Sequence, residues 1–273
     1  IYQPIEVIFE HTVEWVPELI PDHYTGIFLM NQLSEYSLYR LENELREGYI
    51  TIEGGHRVGI AGKVNTVNGS VKAIQNISFF NIRVARQKLG VAEGYMPFIY
   101  SQNYLNTLIV GPPQSGKTTL IRDMVRIISS GWKMVQAKKV AVIDERSEIG
   151  ASIQGVPQHD LGLRTDVMDG CPKAEGMMMV IRSMSPEVLV VDEIGGKKDF
   201  EAILEAIHSG VTMICSIHGQ SLEDIKSRSI TKDIFKAQLF KRIIVLGKRT
   251  RLRQKVQIYN ELGQKIHSFG ERL

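Results

Sequence analysis

The sequence predicts an α/β protein in which a parallel sheet lies between helices, preceded by a smaller α+β domain. Short runs of consecutive apolar residues recur along residues 105–246, and consecutive rather than alternate apolar positions are typical of strands covered on both faces. Helical stretches with one apolar face separate these runs. A glycine-rich motif, GPPQSGKTT at residues 111–119, joins the first run to the first of these helices.

Size and composition fit a two-domain globular protein. The chain has 273 residues, of which 43% are hydrophobic and 23% are charged, as in ordinary globular domains. A net charge of +3 is too small to indicate a nucleic-acid-binding protein by itself. No apolar run approaches the roughly 18 residues that span a bilayer. The two cysteines, Cys171 and Cys215, do not have metal-ligand spacing.

Residues 1–100 form the predicted N-terminal α+β domain. A helix is expected over residues 30–47, because Leu38, Leu41 and Leu45 fall on one helical face. The glycine that follows this stretch is a common helix stop.

A small antiparallel meander is expected after this helix. Apolar and polar residues alternate over residues 48–74, and turn-forming dipeptides occur at Gly-Gly 54–55 and Asn-Gly 68–69. The pattern then changes, and a linker is expected at about residues 87–104. The second predicted domain covers residues 101–273.

The second domain has strands and helices in alternation. The helix after the first strand carries apolar residues at helical spacing from Leu120 to Ile128 and is expected to end at Gly131. This alternation predicts an α/β domain of the RecA type. Its strands are predicted at residues 105–110, 139–143, 188–192, 211–217 and 242–246.

The glycine-rich motif predicts a nucleotide site. It has the form Gly-x-x-x-x-Gly-Lys-Thr between an apolar strand and an amphipathic helix, which is the context that phosphate binding requires. Loop N–H groups and the helix N-terminus attract an anion. Lys117 can reach the β- and γ-phosphates, and the Thr118 hydroxyl can join a Mg²⁺ shell. The motif does not distinguish ATP from GTP. We expect ATP and Mg²⁺ here, held by Gly111, Pro112, Pro113, Gln114, Ser115, Gly116, Lys117, Thr118 and Thr119.

Two acidic residues follow a second apolar run, in EVLVVDEIGG at residues 187–196. An acid at the end of a buried strand beside a phosphate-binding loop can hold Mg²⁺ through its water, a role that we assign to Asp192. A second carboxylate there can polarise the attacking water, a role that we assign to Glu193. The alternative is an acidic strand end that only caps the strand or faces solvent.

A further pair of acids, Asp144 and Glu145, ends another apolar run in VAVIDERSEIG at residues 140–150. Glu145 therefore competes with Glu193 for the role of catalytic base. We favour Glu193, with Glu145 orienting water or magnesium. The alternative for Glu145 is a surface ion pair with Arg146.

The run VTMICSIHG at residues 211–219 ends in two polar residues, Ser216 and His218. A polar side chain at this strand end can hydrogen-bond the γ-phosphate and report its loss, and imidazole chemistry suits such sensing. The alternative is a structural histidine.

Together these motifs resemble the ATPases of type II and type IV secretion systems, a family that includes pilus motors. That family has a phosphate loop, an acidic box, a second acidic strand and a histidine box in this order. Five segments carry a more specific resemblance: RVGIAGKV, ISFFNIRVAR, DERSEIGA, RSMSPEVLVVDEIGG and SIHG. They resemble a branch of this family that is used in endospore formation, and this resemblance covers nearly the whole chain.

This resemblance implies an ATP-hydrolysing motor in the cytoplasm of the mother cell, held at the inner membrane by channel proteins that connect it to the forespore. It also implies a ring of identical subunits, a hexamer, with nucleotide between subunits. Arg83 and Arg86 fall where the family places arginines that reach a neighbour's phosphates, and Arg57 is a weaker candidate. The alternative for each is a solvated basic strand.

Two other functions stay open at this point. A nucleic-acid-dependent ATPase of the RecA or helicase class would need a basic surface, and GKRTRLRQK at residues 247–255 is the best basic cluster. A solvated hairpin between two late strands is the simpler explanation of that cluster. The chain could also be a nucleotide-gated scaffold that binds ATP with little turnover.

Overall fold

The computed structural model describes residues 1–9, 12–34, 45–46, 48–67, 69–249 and 253–272. The chain forms two compact units, Ile1–Arg86 and Gln87–Leu273. The segment 87–100, which the sequence analysis assigned to the first domain and its linker, belongs to the second unit. Its apolar side chains account for this difference, because four of them are buried in the core of the second unit: Ala92, Tyr95, Met96 and Ile99.

The first unit begins with a hairpin of β1 (Ile5–Ile8) and β2 (Val13–Val16), which the sequence analysis did not predict. Helix α1 (His23–Leu33) follows. The Asp22 carboxylate accepts a hydrogen bond from the Thr25 N–H at 2.8 Å, which caps this helix at its N-terminus. Helix α1 ends at the C-cap Ser34 and shares only residues 30–33 with the helix predicted over residues 30–47. Leu38 and Leu41 of the predicted helix lie outside the described residues.

The predicted antiparallel meander is confirmed. It consists of β3 (Tyr49–Ile52), β4 (His56–Val67) and β5 (Ser70–Arg83), in the order β3-β4-β5. A short turn of 3₁₀ helix at Glu53–Gly55 joins the first two strands, and Gly54 has a φ of 80° that favours glycine. Asn68 of the second predicted turn lies outside the described residues. The core of this unit contains Met30, Leu45, Ile50, Val58 and Ile60.

The described strands of the second unit are β6 (Thr107–Gly111), β7 (Val140–Asp144), β8 (Thr165–Asp169), β9 (Val188–Val191), β10 (Thr212–His218), β11 (Arg242–Leu246), β12 (Arg253–Asn260) and β13 (Lys265–Arg272). They form one sheet in the order β13-β12-β11-β6-β10-β9-β7-β8. The strands from β11 to β8 in this order run parallel, and β12 and β13 extend the sheet in antiparallel fashion. Parallel strands end at the same edge of a sheet, so β6, β7, β9, β10 and β11 bring their following residues to one edge.

Helices cover both faces of this sheet, as the consecutive apolar runs predicted. The described helices are α2 (Met96–Ile99), α3 (Lys117–Ser130), α4 (Lys173–Met184), α5 (Lys197–His208), α6 (Leu222–Ser227) and α7 (Ser229–Lys236). Within β6, Ile109 packs into a core with residues of α3, whereas Leu108 and Val110 pack into a core with residues of α4 and α5.

Strand β8 was not predicted from the sequence. Its residues, TDVMD, are all half-buried because β8 forms an edge of the sheet, so they lack the run of apolar residues that marks the central strands. Among the residues that the structure describes, no helix is both long and apolar enough to cross a membrane.

Candidate active site

The phosphate loop, residues 111–118, connects β6 to α3 at the edge of the sheet where the parallel strands end. Gly116 precedes the first helical residue with a φ of 91°, a conformation that a side chain would strain. Gly111 has no room for a Cβ atom, which would meet the Ser115 hydroxyl and come within 3.1 Å of the Leu246 carbonyl oxygen. The two glycines of the motif are therefore required by the local backbone.

The loop offers unpaired donors to an anion. No side chain caps the N-terminus of α3, so its first N–H groups are available where the helix dipole is positive. The Ser115 hydroxyl is buried and has no hydrogen-bond partner among the described residues. A buried polar group without a partner is costly unless a ligand supplies one, and the oxygens of a phosphate would do so. These features fit the predicted triphosphate.

Lys117 is the buried cation of the loop, with 4% of its surface exposed. Its ammonium donates to the Pro112 carbonyl oxygen at 3.2 Å and lies 3.1 Å from Nδ1 of His218. Burial lowers the pKa of Lys117, and the nearby charges of Asp192 and Glu193 oppose that shift. A phosphate at the loop would supply a negative charge next to this ammonium.

Thr118 and Asp192 meet at the predicted magnesium position. The Thr118 hydroxyl donates to Oδ2 of Asp192 at 2.8 Å. The Ser216 hydroxyl of β10 donates to the other oxygen of Asp192 and accepts from the Glu193 N–H at 2.9 Å. A hydroxyl and a carboxylate are hard oxygen ligands that suit Mg²⁺, so the side chains present fit that ion.

Glu193 and His218 also lie in this site. Oε1 of Glu193 is 2.7 Å from Nε2 of His218, and Oε2 accepts from Nη1 of Arg146 at 2.8 Å. Glu193 has a φ of 53°, an unusual conformation for a residue with a side chain and one that is found at functional sites. Lys117, His218, Glu193 and Arg146 are thus connected in a continuous chain of polar contacts.

Glu145 has a different partner from the one that the sequence suggested. It forms an ion pair with Lys173, the first residue of α4, whereas Arg146 pairs with Glu193. An ion pair with Arg146 was the alternative that the sequence left open for Glu145, whereas the ion pair found for Glu145 is with Lys173. Glu145 and Glu193 nevertheless line the same small cleft. Its other lining residues are Asp144, Arg146, Glu148, Lys173 and Asp192.

Asp144 stabilises the loop that follows β7. Its carboxylate accepts hydrogen bonds from the N–H groups of Glu148, Ile149 and Gly150 at 2.8 to 3.0 Å. Burial raises the pKa of Asp144 and these hydrogen bonds oppose the rise. The Arg122 guanidinium of α3 donates to the carbonyl oxygens of Ile149 and Glu148. This loop is therefore held from β7 and from α3, and it carries Glu145 and Arg146.

The predicted arginines belong to the first unit. Arg83 is exposed at the end of β5 and is the register partner of Arg57 on β4. Arg57 also lies over the ring of Tyr49, 3.9 Å from its centre. Arg86 is exposed in the segment after β5. Their predicted role in the site of a neighbouring subunit stays a prediction.

Three contributors to the site were missed in the sequence. Lys173 and Arg122 lie in helices where a basic residue normally faces solvent, and Gln254 lies in a late strand. The Gln254 amide donates to the Ser115 carbonyl oxygen of the phosphate loop at 2.6 Å. No spacing in the sequence predicts these contacts, because each joins segments that the sheet brings together.

The whole chain, not only the loop, matches a known family. The model of the family "Sporulation stage III, protein AA" matches residues 4–266. The chain belongs to this family. It is 52% identical to "Stage III sporulation protein AA" of Bacillus subtilis (strain 168) over 235 residues, which are 86% of this chain and 76% of that protein.

Two solved structures, a pilus retraction motor and an ATPase, share the fold of this chain. The pilus retraction motor PilT, solved with bound ADP, has a TM-score of 0.63 and 15% identity over 95% of this chain and 77% of PilT. The ATPase DotB of Legionella pneumophila has a TM-score of 0.62 and 14% identity over 95% of this chain and 75% of DotB. These similarities confirm the predicted RecA-like fold.

Proposed function

We propose that this protein hydrolyses ATP with Mg²⁺ and works as a ring-shaped motor of a secretion channel between mother cell and forespore during endospore formation. The observation that carries the proposal is the meeting of five side chains from three strand ends at the phosphate loop. These side chains are Lys117, Thr118, Asp192, Glu193 and His218.

The phosphate loop and α3 bind the phosphates of ATP. The loop N–H groups and Ser115 accommodate the phosphate oxygens, and Lys117 neutralises the β- and γ-phosphates. Thr118 and Asp192 would hold Mg²⁺, Asp192 through a water. When bound, this ion neutralises charge on the phosphate chain.

Glu193 is the proposed catalytic base. Its carboxylate orients a water for in-line attack on the γ-phosphate and accepts the proton of that water. The positive φ of Glu193 and the Ser216 contact to its N–H fix the backbone from which the carboxylate projects. Glu145 is the weaker candidate because its partner, Lys173, lies on α4. Glu193 instead contacts His218, which in turn contacts Lys117 of the phosphate loop.

His218 is the proposed γ-phosphate sensor. One ring nitrogen faces the Lys117 ammonium and the other faces the Glu193 carboxylate. A γ-phosphate that draws Lys117 towards itself therefore also changes the environment of His218 and Glu193. This connection would let the state of the nucleotide reach the end of β10.

The ring and its partners are the parts of the proposal that depend on the family. Arg83 and Arg86 would stabilise charge on the phosphates of a neighbouring subunit, and channel proteins in the membrane would hold the ring. We expect Arg83→Ala to lower turnover of the assembled protein while leaving the ADP affinity of the subunit nearly unchanged. Full turnover in that variant would remove Arg83 from the site.

Phosphate release from ATP tests the enzymatic part. The unaltered chain should release phosphate, Lys117→Ala should lose nucleotide binding, and Glu193→Gln should bind ATP without turnover. Lys133→Ala, a change to an exposed lysine in the turn before β7, is the matched control and should behave as the unaltered chain does. ATP binding without turnover in the unaltered chain would instead favour a nucleotide-gated scaffold.

A further inference from the structure

The described residues Gly247 and Gln254 of the basic segment GKRTRLRQK lie next to the phosphate loop. Strand β11 pairs in parallel with β6 on the side away from β10, so the residues after Leu246 leave the sheet beside residues 111–118. The Gly247 N–H donates a hydrogen bond to the Lys255 carbonyl oxygen of β12 at 2.8 Å. Lys248 and Arg249 follow and are exposed. Thr250, Arg251 and Leu252 lie outside the described residues.

Gln254 connects this segment to the phosphate loop directly. Its side-chain N–H₂ group donates to the Ser115 carbonyl oxygen at 2.6 Å and to the Gly247 carbonyl oxygen at 3.0 Å. In a trans peptide the carbonyl and the next N–H point in opposite directions. Because Gln254 holds the Ser115 carbonyl, the N–H of Gly116 is directed away from β12. Gln254 therefore fixes the orientation of one peptide unit in the phosphate loop.

The position of the γ-phosphate end fixes the direction of the nucleotide. Lys117, His218 and Glu193 mark that end on the β10 side of β6. The phosphates nearer the nucleoside must then lie on the other side of the loop, where β11 ends and β12 begins. Two cations next to an anion chain favour its binding.

We propose that Lys248 and Arg249, which follow β11, are part of the nucleotide site, with Gln254 of β12 as a positioning residue of the phosphate loop. Lys248 and Arg249 bind the α- and β-phosphates, which ADP and ATP share. This inference rests on the proposed function, since it needs a nucleotide at residues 111–118. It gives a role to a basic cluster that the sequence alone left as a solvated hairpin or a nucleic-acid surface.

The first experiment removes both cations. Lys248→Ala/Arg249→Ala should weaken ADP binding about tenfold in calorimetry, raise the KM for ATP by a similar factor and lower kcat much less. The matched control is Lys133→Ala/Lys265→Ala, which removes the same charge from two exposed lysines, one in the turn after α3 and one at the start of β13. The control should leave ADP affinity unchanged. Equal ADP affinity in both double variants would overturn the proposal.

The second experiment changes Gln254. Gln254→Ala should weaken ADP binding about fivefold because the Ser115 carbonyl loses its donor. Gln254→Glu should weaken it further, since a carboxylate would face that carbonyl and a nearby phosphate. If Gln254 had only a structural role, both variants would have a lower melting temperature, but ADP affinity would not fall from the unaltered chain to Gln254→Ala and further to Gln254→Glu. That result would contradict the assignment of Gln254.

Failure of this inference can be told apart from failure of the proposed function. If Lys117→Ala abolishes ADP binding but the Lys248/Arg249 double variant binds as the control does, only the β11–β12 assignment is wrong. If the unaltered chain binds no ADP, the proposed function itself fails. Loss of salt-sensitive DNA binding in the double variant, with ADP affinity intact, would assign the cluster to nucleic acid and reject the proposal.

Discussion

The Ser216 hydroxyl connects the two acidic residues of the site, and its removal should be costly in two ways. Ser216 is fully buried on β10. It donates to Oδ1 of Asp192 and accepts from the Glu193 N–H at 2.9 Å. Ser216→Ala removes both hydrogen bonds and leaves the N–H of Glu193 without this acceptor at a residue whose φ is already 53°.

The expected loss of stability follows from these two bonds. A hydrogen bond to a charged group contributes about 1.5 to 3 kcal/mol and a neutral one about 1 kcal/mol, so the variant should lose about 3 kcal/mol. For a unit of this size, each kcal/mol lowers the melting temperature by roughly 2 to 4 °C. Turnover should fall about tenfold or more, since Asp192 and Glu193 lose a common support.

Ser129→Ala is the matched control for this variant. Ser129 is also fully buried, but its hydroxyl donates to the carbonyl oxygens of Leu161 at 2.7 Å and Arg126 at 3.3 Å. It should lose about 1 kcal/mol and keep its turnover. Denaturant unfolding followed by circular dichroism and phosphate release measure the two effects. Normal turnover in Ser216→Ala, or equal turnover in both variants, would refute the reasoning.

Three further predictions concern Lys117, Glu145 and Gly162. Lys117→Met removes an ammonium whose pKa is lowered by burial, so we expect it to abolish nucleotide binding yet raise the free energy of unfolding by about 1 kcal/mol; a fall in thermal stability would contradict this. Glu145→Gln weakens the pair with Lys173 and should reduce phosphate release less than Glu193→Gln does; the opposite order would make Glu145 the base. Gly162→Ala places a Cβ 2.7 Å from the Arg126 carbonyl oxygen at a φ of 82°, and should cost about 2 kcal/mol or more in thermal unfolding; an unchanged melting temperature would show that the loop can shift.

The central part of the fold was predictable because its strands are buried on both faces. Runs such as VLVV and RIIVL have few interpretations other than a covered strand, and the motif between β6 and α3 fixed the position of the site. The edges were not predictable. Strand β8 and the β1–β2 hairpin are only partly buried, and the start of α1 is marked by the Asp22 cap rather than by apolar spacing.

Site residues that end strands were predictable, and those that reach across the sheet edge were not. Asp192, Glu193 and His218 meet because parallel strands end together, which follows from topology alone. The partners of Glu145 and Glu193 depend on side-chain directions that no periodicity reports. The contact between Gln254 and the phosphate loop depends on the antiparallel return of β12 beside β11.

A crystal structure of the chain with Mg²⁺ and a non-hydrolysable ATP analogue tests the central claim most directly. The account predicts that the triphosphate lies on residues 111–118, with Lys117 and His218 at the γ-phosphate and with Thr118 and Asp192 at the metal ion. A nucleotide bound elsewhere, or Glu193 and His218 directed away from its γ-phosphate, would contradict it.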